Sequence, residues 1–475
     1  MNNSSLLHFV TTLGPELFQL FFITTLFLVS VLRKRQDKTC WIAAFSVIGV
    51  AIAALGLGNE GMFFAQAYQV DGLSQFFKLA IAIGFCITVL NGKNLPGVAS
   101  AKRTDYYLML AFSTWGLMLL SSAVELMTMF VSLEISSYSL YSIISVRKGS
   151  QPAAEAAIKY IMFGAAATAI SLFGLSYILA CANTSYLNEL TGKITLDCPI
   201  AMIGITMFMI SFFYKLALFP FHFWCPDVYT GSSNETAAFV ATVPKLGAVV
   251  ALIRISHMVI PGMAMTDVLA ILAALSMTYG NLAALAQKDV KRILGYSSVA
   301  HAGYILIGIV AGTQQGLAAA AFYGLAYVFM NLTCFWVIAR ISPAGDNVTL
   351  DDLSGMHAYA PAYALALAVG AFALVGIPPT MGFTGKLFLF TSLWGHGYDW
   401  LVIIGAVNTA FSIFYYLNLV RYAYTRDTES PRTIDASIAS RSMALVLAGI
   451  VLALGCIPAG VYQAALAATQ GIWKI

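Results

Sequence analysis

Charge is scarce in this chain. Only 10% of the 475 residues are Asp, Glu, Lys or Arg, and 60% are hydrophobic. Ordinary soluble domains carry about a quarter charged residues, and the mean hydropathy here is +0.82, so the composition excludes them and implies a polytopic membrane protein. The net charge of +4 is small and scattered, leaving no basic face for nucleic acid. Cysteine is sparse too: Cys40, Cys86, Cys181, Cys198, Cys225, Cys334 and Cys456 lie far apart. Without CxxC or Cys/His spacing they argue against an iron–sulfur or zinc site and read as small packing residues. No segment is long enough for a soluble domain, the longest loops falling near 182–199, 341–360 and 425–440. The first apolar run begins near Glu16 and ends in RKRQDK without a small-residue cleavage site, so it reads as a retained helix.

What is present is a series of apolar runs. A spanning helix needs ~20 such residues. The sequence offers about fourteen runs, near 14–33, 40–58, 73–91, 104–122, 124–145, 155–181, 200–228, 235–259, 264–286, 290–311, 315–340, 361–394, 399–424 and 441–466. With the N-terminus outside, one set of loops holds Arg33, Lys34, Arg35, Lys38, Lys93, Lys102, Arg103, Arg147, Lys148, Lys288, Lys291, Arg292, Arg340, Arg421, Arg426, Arg432 and Arg441. The opposite loops and the C-terminus hold little beyond Lys193 and Lys474. The positive-inside rule therefore places both termini on the outer side. Two runs exceed one span and contain proline, FFYKLALFPFHFW and LVGIPPTMGFTGKLFLF. Paired broken helices of this kind point to inverted repeats and a site where unwound backbone is covered by protein or water.

A second set of charges falls inside or near spans: Lys78, Lys159, Lys215, Lys245, Arg254 and Lys386, with Glu125, Glu134 and Glu155. A central Lys or Asp costs ~2.5–3.5 kcal/mol to insert and commonly marks an ion or proton path. Snorkelling from a span end is the expectation for Lys78, Arg254, Glu125 and Glu155. It does not serve Glu134, Lys215, Lys245 and Lys386, which lie several residues from any polar loop. Tyr138 and Tyr141 share the helix face of Glu134. Lys159 is open to two readings, an i−4 salt bridge with Glu155 or a relay role. Ser297, His301 and Tyr304 form a polar stripe, either a proton wire or a set of interhelical hydrogen bonds. A buried amine suits proton transfer because desolvation disfavours its ammonium form while a nearby carboxylate favours it. Beside the break at Pro220, Lys215 is then a switchable proton site with access to water.

The motifs FYKLALFPFHFWCPDVYTG, KDVKRILGYSSVAHAGY, GIPPTMGFTGKLFLF and SIFYYLNLVRY resemble the antiporter-like membrane subunits of respiratory complex I, NADH-quinone oxidoreductase, over essentially the whole chain. The PDVY wording and Lys386 are most similar to its subunit N, and no long lateral helix of the subunit L kind follows the last span. The resemblance implies an all-α fold of about fourteen transmembrane helices. Residues 1–103 would hold helices 1–3, residues 104–259 and 260–424 two inverted five-helix repeats, each with a broken helix, and residues 425–475 the last helix. By motif, Glu134 corresponds to the family's fifth-helix glutamate and Lys215 to the broken-helix lysine it pairs with. Lys245 corresponds to the central-axis lysine, Lys386 to the terminal lysine of the second broken helix, and Lys159 to a sixth-helix lysine, while His301 falls in the polar tenth helix. The segment SSNETAAF departs from the family's proline-containing loop, at Asn234 and Glu235.

The resemblance further implies proton pumping coupled to quinone reduction, with no cofactor on this chain; quinone, NADH, FMN and iron–sulfur clusters belong to other subunits. Expected partners are the neighbouring subunit M, small subunits such as K and J, and the lipid of a bacterial inner membrane. Driving one charge against the membrane potential costs ~2.3 kcal/mol per 100 mV, within reach of rearranging one buried ion pair. Three alternatives remain: a subunit of a multi-subunit Na+/H+ antiporter, a subunit of a ferredoxin-, hydrogen- or F420-linked complex, and a passive anchor with dispensable lysines.

Overall fold

The computed structural model describes residues 3–32, 40–92, 95–147, 150–193, 199–256, 264–425, 434 and 437–471. Three helices, α1 (Asn3–Thr12), α2 (Gly14–Leu32) and α3 (Cys40–Leu55), lead to an antiparallel ribbon of β1 (Gly61–Phe63) and β2 (Tyr68–Val70), paired Met62 to Gln69. There follow α4 (Gly72–Asn91), α5 (Arg103–Ser122), α6 (Leu126–Ile144), α7 (Gln151–Ala182) and the short α8 (Leu187–Lys193). An interrupted helix consists of α9 (Pro199–Leu216) and α10 (Trp224–Gly231), and α11 (Asn234–Ile255), α12 (Ala264–Leu285), α13 (Val290–Val310) and α14 (Gln314–Ile341) are continuous. After the single turn α15 (Met356–Tyr359), α16 (Pro361–Val375) and α17 (Met381–Leu393) make a second interrupted helix. The chain continues through α18 (Asp399–Thr425), α19 (Ile438–Cys456) and α20 (Ala459–Gln470).

By length and composition, α2, α4, α7, α9, α11, α12, α13, α14, α18 and α19 are long and apolar enough to cross a membrane. The fold is almost wholly helical, the ribbon being its one sheet among the described residues. Two expectations need correction. The run 441–466 is not one helix: Pro458 has no N–H to donate and biases Ile457 away from helix, so α19 stops at Cys456 and α20 starts beyond. Lys78, Arg254 and Glu125 do not snorkel either. Lys78 and Arg254 are buried in ion pairs with Glu16 and Asp71, and Glu125 caps α6 by accepting from the Met127 and Thr128 amides.

Burial is graded across the bundle. Nearly every residue of α11, α13 and α14 is buried, whereas α2, α7 and α19 expose apolar side chains such as Phe21, Ile158 and Val446. A helix apolar all round belongs at the centre, and one with an exposed apolar stripe faces lipid. The three central helices carry Lys245, His301 and Tyr327. Some loop cations of the sequence reading are also inside the protein: Lys291 donates to Ser232 O at 2.9 Å and Arg340 to Asn91 O at 3.1 Å. Arg33, Lys34, Arg35, Lys38, Lys93, Lys148, Arg426, Arg432 and Lys474, and Cys198, lie outside the described residues.

The two interruptions are built alike. Ala217 and Gly376 have left-handed backbones (φ 63 and 90), and the next residue donates five back, Leu218 N to Phe213 O at 2.9 Å and Ile377 N to Phe372 O at 3.0 Å. This is the Schellman closure of a helix end. Proline then prevents continuation, at Pro220 and at Pro378–Pro379.

Candidate functional site

Lys215, Lys245 and Lys386 are each at least 96% buried. Lys215, in the last turn of α9, donates to Ser137 Oγ of α6 at 3.0 Å. Glu134 sits one turn before Ser137 and accepts from Thr168 Oγ1 of α7 at 2.9 Å. The expected Glu134–Lys215 pair is therefore not a direct contact: the serine and threonine hydroxyls occupy the near positions of the two groups. Tyr138, on the face of Glu134, is 62% exposed and Tyr141 packs on Tyr160 of α7. His222 takes no part, lying buried between the rings of Phe219, Phe223 and Tyr279.

Lys245 follows Pro244, which removes one backbone hydrogen bond from the middle of α11. Its ammonium contacts Ser298 Oγ of α13 and lies 5.3 Å from the centroid of the Tyr327 ring. Ser298 Oγ also bonds Tyr327 OH at 2.6 Å and Tyr229 OH at 3.0 Å. One turn on, His301 Nδ1 meets Tyr323 OH at 2.7 Å and Nε2 meets Tyr416 OH at 3.3 Å. Tyr416 OH in turn bonds Ser297 Oγ. Tyr304 OH pairs with Thr409 Oγ1 at 3.0 Å, which also accepts from Lys386 Nζ at 3.4 Å. The principal acceptor of Lys386 is Val375 O, 2.7 Å away at the end of α16, and its Nζ lies 4.3 Å from the centroid of the Tyr304 ring.

Hydroxyl groups thus line the space between Lys245 and Lys386, and hydroxyls can both donate and accept, as proton passage requires. The sequence reading singled out Ser297, His301 and Tyr304 but missed Ser298, Tyr323, Tyr327, Thr409 and Tyr416. A signal was present: Tyr323 and Tyr327 at i and i+4 of α14, and Thr409 and Tyr416 at i and i+7 of α18, each pair on one face of its helix.

Lys159 stands apart. Its side chain is 38% exposed, bonded to Glu155 at 2.7 Å and to Asp227 of α10 at 2.7 Å. Asp227 also binds Arg292 at 2.8 Å. These groups line an open polar cavity of about 300 Å³ at one end of the bundle.

Residues 123–412 match the family described as NADH:quinone oxidoreductase/Mrp antiporter, TM. The NADH-quinone oxidoreductase subunit N 2 of Solidesulfovibrio magneticus is 52% identical over 473 residues, 97% of this chain and 99% of that one. The chain belongs to the subunit N family of NADH-quinone oxidoreductase. A second member of the subunit N family, from Opitutus terrae, is 40% identical over 454 residues, 94% of this chain and 95% of its own length. Among solved structures, a chain of respiratory complex I from Thermus thermophilus with bound aureothin is 33% identical, with a TM-score of 0.84 over 96% of this chain and 100% of that one. A chain of the Mrp complex from a Dietzia species has a TM-score of 0.86 over 98% of each chain at 19% identity, and so shares the fold. All six residues Glu134, Lys159, Lys215, Lys245, His301 and Lys386 lie in the segment 123–412, whereas Glu16, Asp71 and Lys78 precede it.

Proposed function

We propose that this subunit N family member translocates protons when its parent complex reduces quinone, through a relay of Glu134, Lys215, Lys245, His301 and Lys386. The observation that carries the reading is the set of buried amines at the two breaks and in the central helix, with hydroxyls lining the space between Lys245 and Lys386. Each amine rests on neutral oxygens, so its proton can leave without opening a tight ion pair. Lys159, with Asp227 and Arg292 in the open polar cavity, serves the relay as its port to water.

The same reading arranges the chain as about fourteen spans: α3, α5 and α6 add to the ten long apolar helices, and α16 with α17 supplies one more. Residues 104–259 and 260–424 act as inverted repeats, which accords with the matching closures at Ala217 and Gly376. Both termini face the outside of a bacterial inner membrane, by the basic loops. The chain works without a cofactor of its own, beside subunit M and small subunits such as K and J. The test is the number of protons moved per NADH oxidised in vesicles holding the assembled Lys215→Ala complex. Loss of pumping with assembly intact is expected, and Lys215→Arg should not restore it because guanidinium does not release its proton. Unchanged stoichiometry in Lys215→Ala would overturn the reading.

A further inference from the structure

A second buried charge cluster lies outside the relay, and all of it but Arg254 precedes the family-matched segment. Glu16 of α2 accepts from Tyr68 OH at 2.5 Å, and Lys78 Nζ of α4 lies 2.5 Å from the same oxygen, Oε1. The side chains of Lys78 and Glu16 are 0% and 6% exposed. Beside them, Asp71 holds Arg254 through bonds of 3.1 and 2.9 Å, and Arg254 Nε donates to Ser121 O at 2.8 Å. Thr12 Oγ1, Glu16 Oε2 and Gln75 Oε1 are buried here without a hydrogen-bond partner. Thr12 ends α1 and Glu16 lies in the first turn of α2, and Gln75 and Lys78, three apart on α4, share a face. Gln75 Nε2 reaches Thr12 O at 3.4 Å, which sets that face of α4 against the end of α1. Buried polar atoms that find no protein partner are where proteins hold internal water.

A structural staple needs one ion pair with its remaining oxygens satisfied. Here one carboxylate oxygen has both the ammonium and the phenol beside it while the other has neither, and Lys78 Nζ makes no hydrogen bond of its own. Arg254 ties the cluster to α11, nine residues after Lys245 and so about 13 Å along the helix. The charged and titratable groups facing the pair are Tyr68, Asp71 and Arg254; α5 brings the Ser121 carbonyl to this end and α20 places Ala468 on Gly72.

We propose that Glu16 and Lys78, with water bound among their unpartnered neighbours, form an additional proton-exchange site through which protons leave the α11 region for the outer side. The pair holds one exchangeable proton, as ammonium beside carboxylate or as amine beside carboxylic acid. Release outward leaves amine and carboxylate, and a proton arriving from the bundle restores the starting state. This rests on the pumping reading above.

The experiment uses the assembled complex in vesicles with Glu16→Gln, Lys78→Met and the two combined, beside Lys215→Ala. Proton uptake per NADH is measured, together with the carboxyl region of the infrared difference spectrum between oxidised and reduced complex. Loss of a carboxyl band in Glu16→Gln, with pumping lowered in both single variants and not restored in the double, is the expected result. An unchanged carboxyl region, or a double variant that pumps normally, would mark a purely structural pair and overturn the proposal. So would failure of all three variants to assemble. Normal pumping by Lys215→Ala would instead count against the wider reading, while the infrared band would still report on Glu16.

Discussion

The two interrupted helices close their first halves in the same way but hold their lysines on opposite sides of the break. Lys215 precedes its break and reaches across to another helix, to Ser137. Lys386 follows its break and reaches back to the end of α16, to Val375 O and Leu374 O at 2.7 and 3.4 Å. At the first break the corresponding backbone contact comes from an indole, Trp224 Nε1 donating to Tyr214 O at 3.0 Å. The consequence is electrostatic. A helix C-terminus carries partial negative charge that favours a cation, so the charge of Lys386 is compensated by backbone that is always present. Lys215, in the last turn of α9, rests instead on the Ser137 hydroxyl, one turn along α6 from the Glu134 carboxylate.

The largest expected effect sharpens that contrast. Glu134→Gln removes the carboxylate near Lys215, and a change of about 1.4 kcal/mol in the balance between proton states already shifts an equilibrium tenfold. Pumping per NADH should therefore fall by about an order of magnitude, with assembly intact, while Glu134→Asp retains part of it. Equal, wild-type pumping in both variants would show that the acid does not control the first break.

Next in size is Lys386→Ala. It leaves the last carbonyls of α16 without their ammonium partner, a loss of about 1–3 kcal/mol for buried polar groups. Lys215→Ala leaves Ser137, which keeps its own bond to Leu133 O at 3.0 Å. The thermal inactivation midpoint of the solubilised complex should drop for Lys386→Ala and stay close to wild type for Lys215→Ala. The reverse order would break the comparison. If Lys386 also relays protons, quinone turnover per assembled complex falls as well.

A smaller pair of changes tests the shared closure. Gly376 has φ 90, and a Cβ there would stand 3.1 Å from Lys386 Cδ, so Gly376→Ala should cost about 1–2 kcal/mol. Ala217 already bears the strain of φ 63. Ala217→Gly should therefore stabilise, by up to about 1 kcal/mol. Opposite signs in the two midpoints are expected, and equal signs would mean that the closures are not equivalent.

How much of this was legible in the sequence follows from what each feature needs. The breaks were readable because proline acts locally, and the buried lysines because a charge inside a long apolar run is costly wherever it lands. The partners of Glu134 and Lys215 were not, since Ser137 and Thr168 matter only through the packing of α6 on α7 and α9. Snorkelling failed for Lys78 and Arg254 for a related reason. Sequence distance from a loop does not tell that a third element, here α2 with Glu16 or the start of α4 with Asp71, covers the charge. Lys159 shows the same limit: its i−4 partner Glu155 was visible, and its long-range partner Asp227 was not.

That last difference sets the smallest effect. Glu155 and Asp227 both lie 2.7 Å from Lys159, but the Glu155 side chain is 67% exposed and Asp227 is 27% exposed and shared with Arg292. An exposed i,i+4 pair contributes only about 0.3–0.5 kcal/mol and is screened by salt. Glu155→Ala should leave stability and pumping near wild type, with any deficit disappearing at high ionic strength. Asp227→Ala leaves two cations facing each other across the open polar cavity and should cost more, on the order of 1 kcal/mol, with a change in proton uptake because the cavity would turn from balanced to positive. If Glu155→Ala proved the more damaging of the two, the local pair, and not the link from α7 to α10 and α13, would be what holds Lys159 in place.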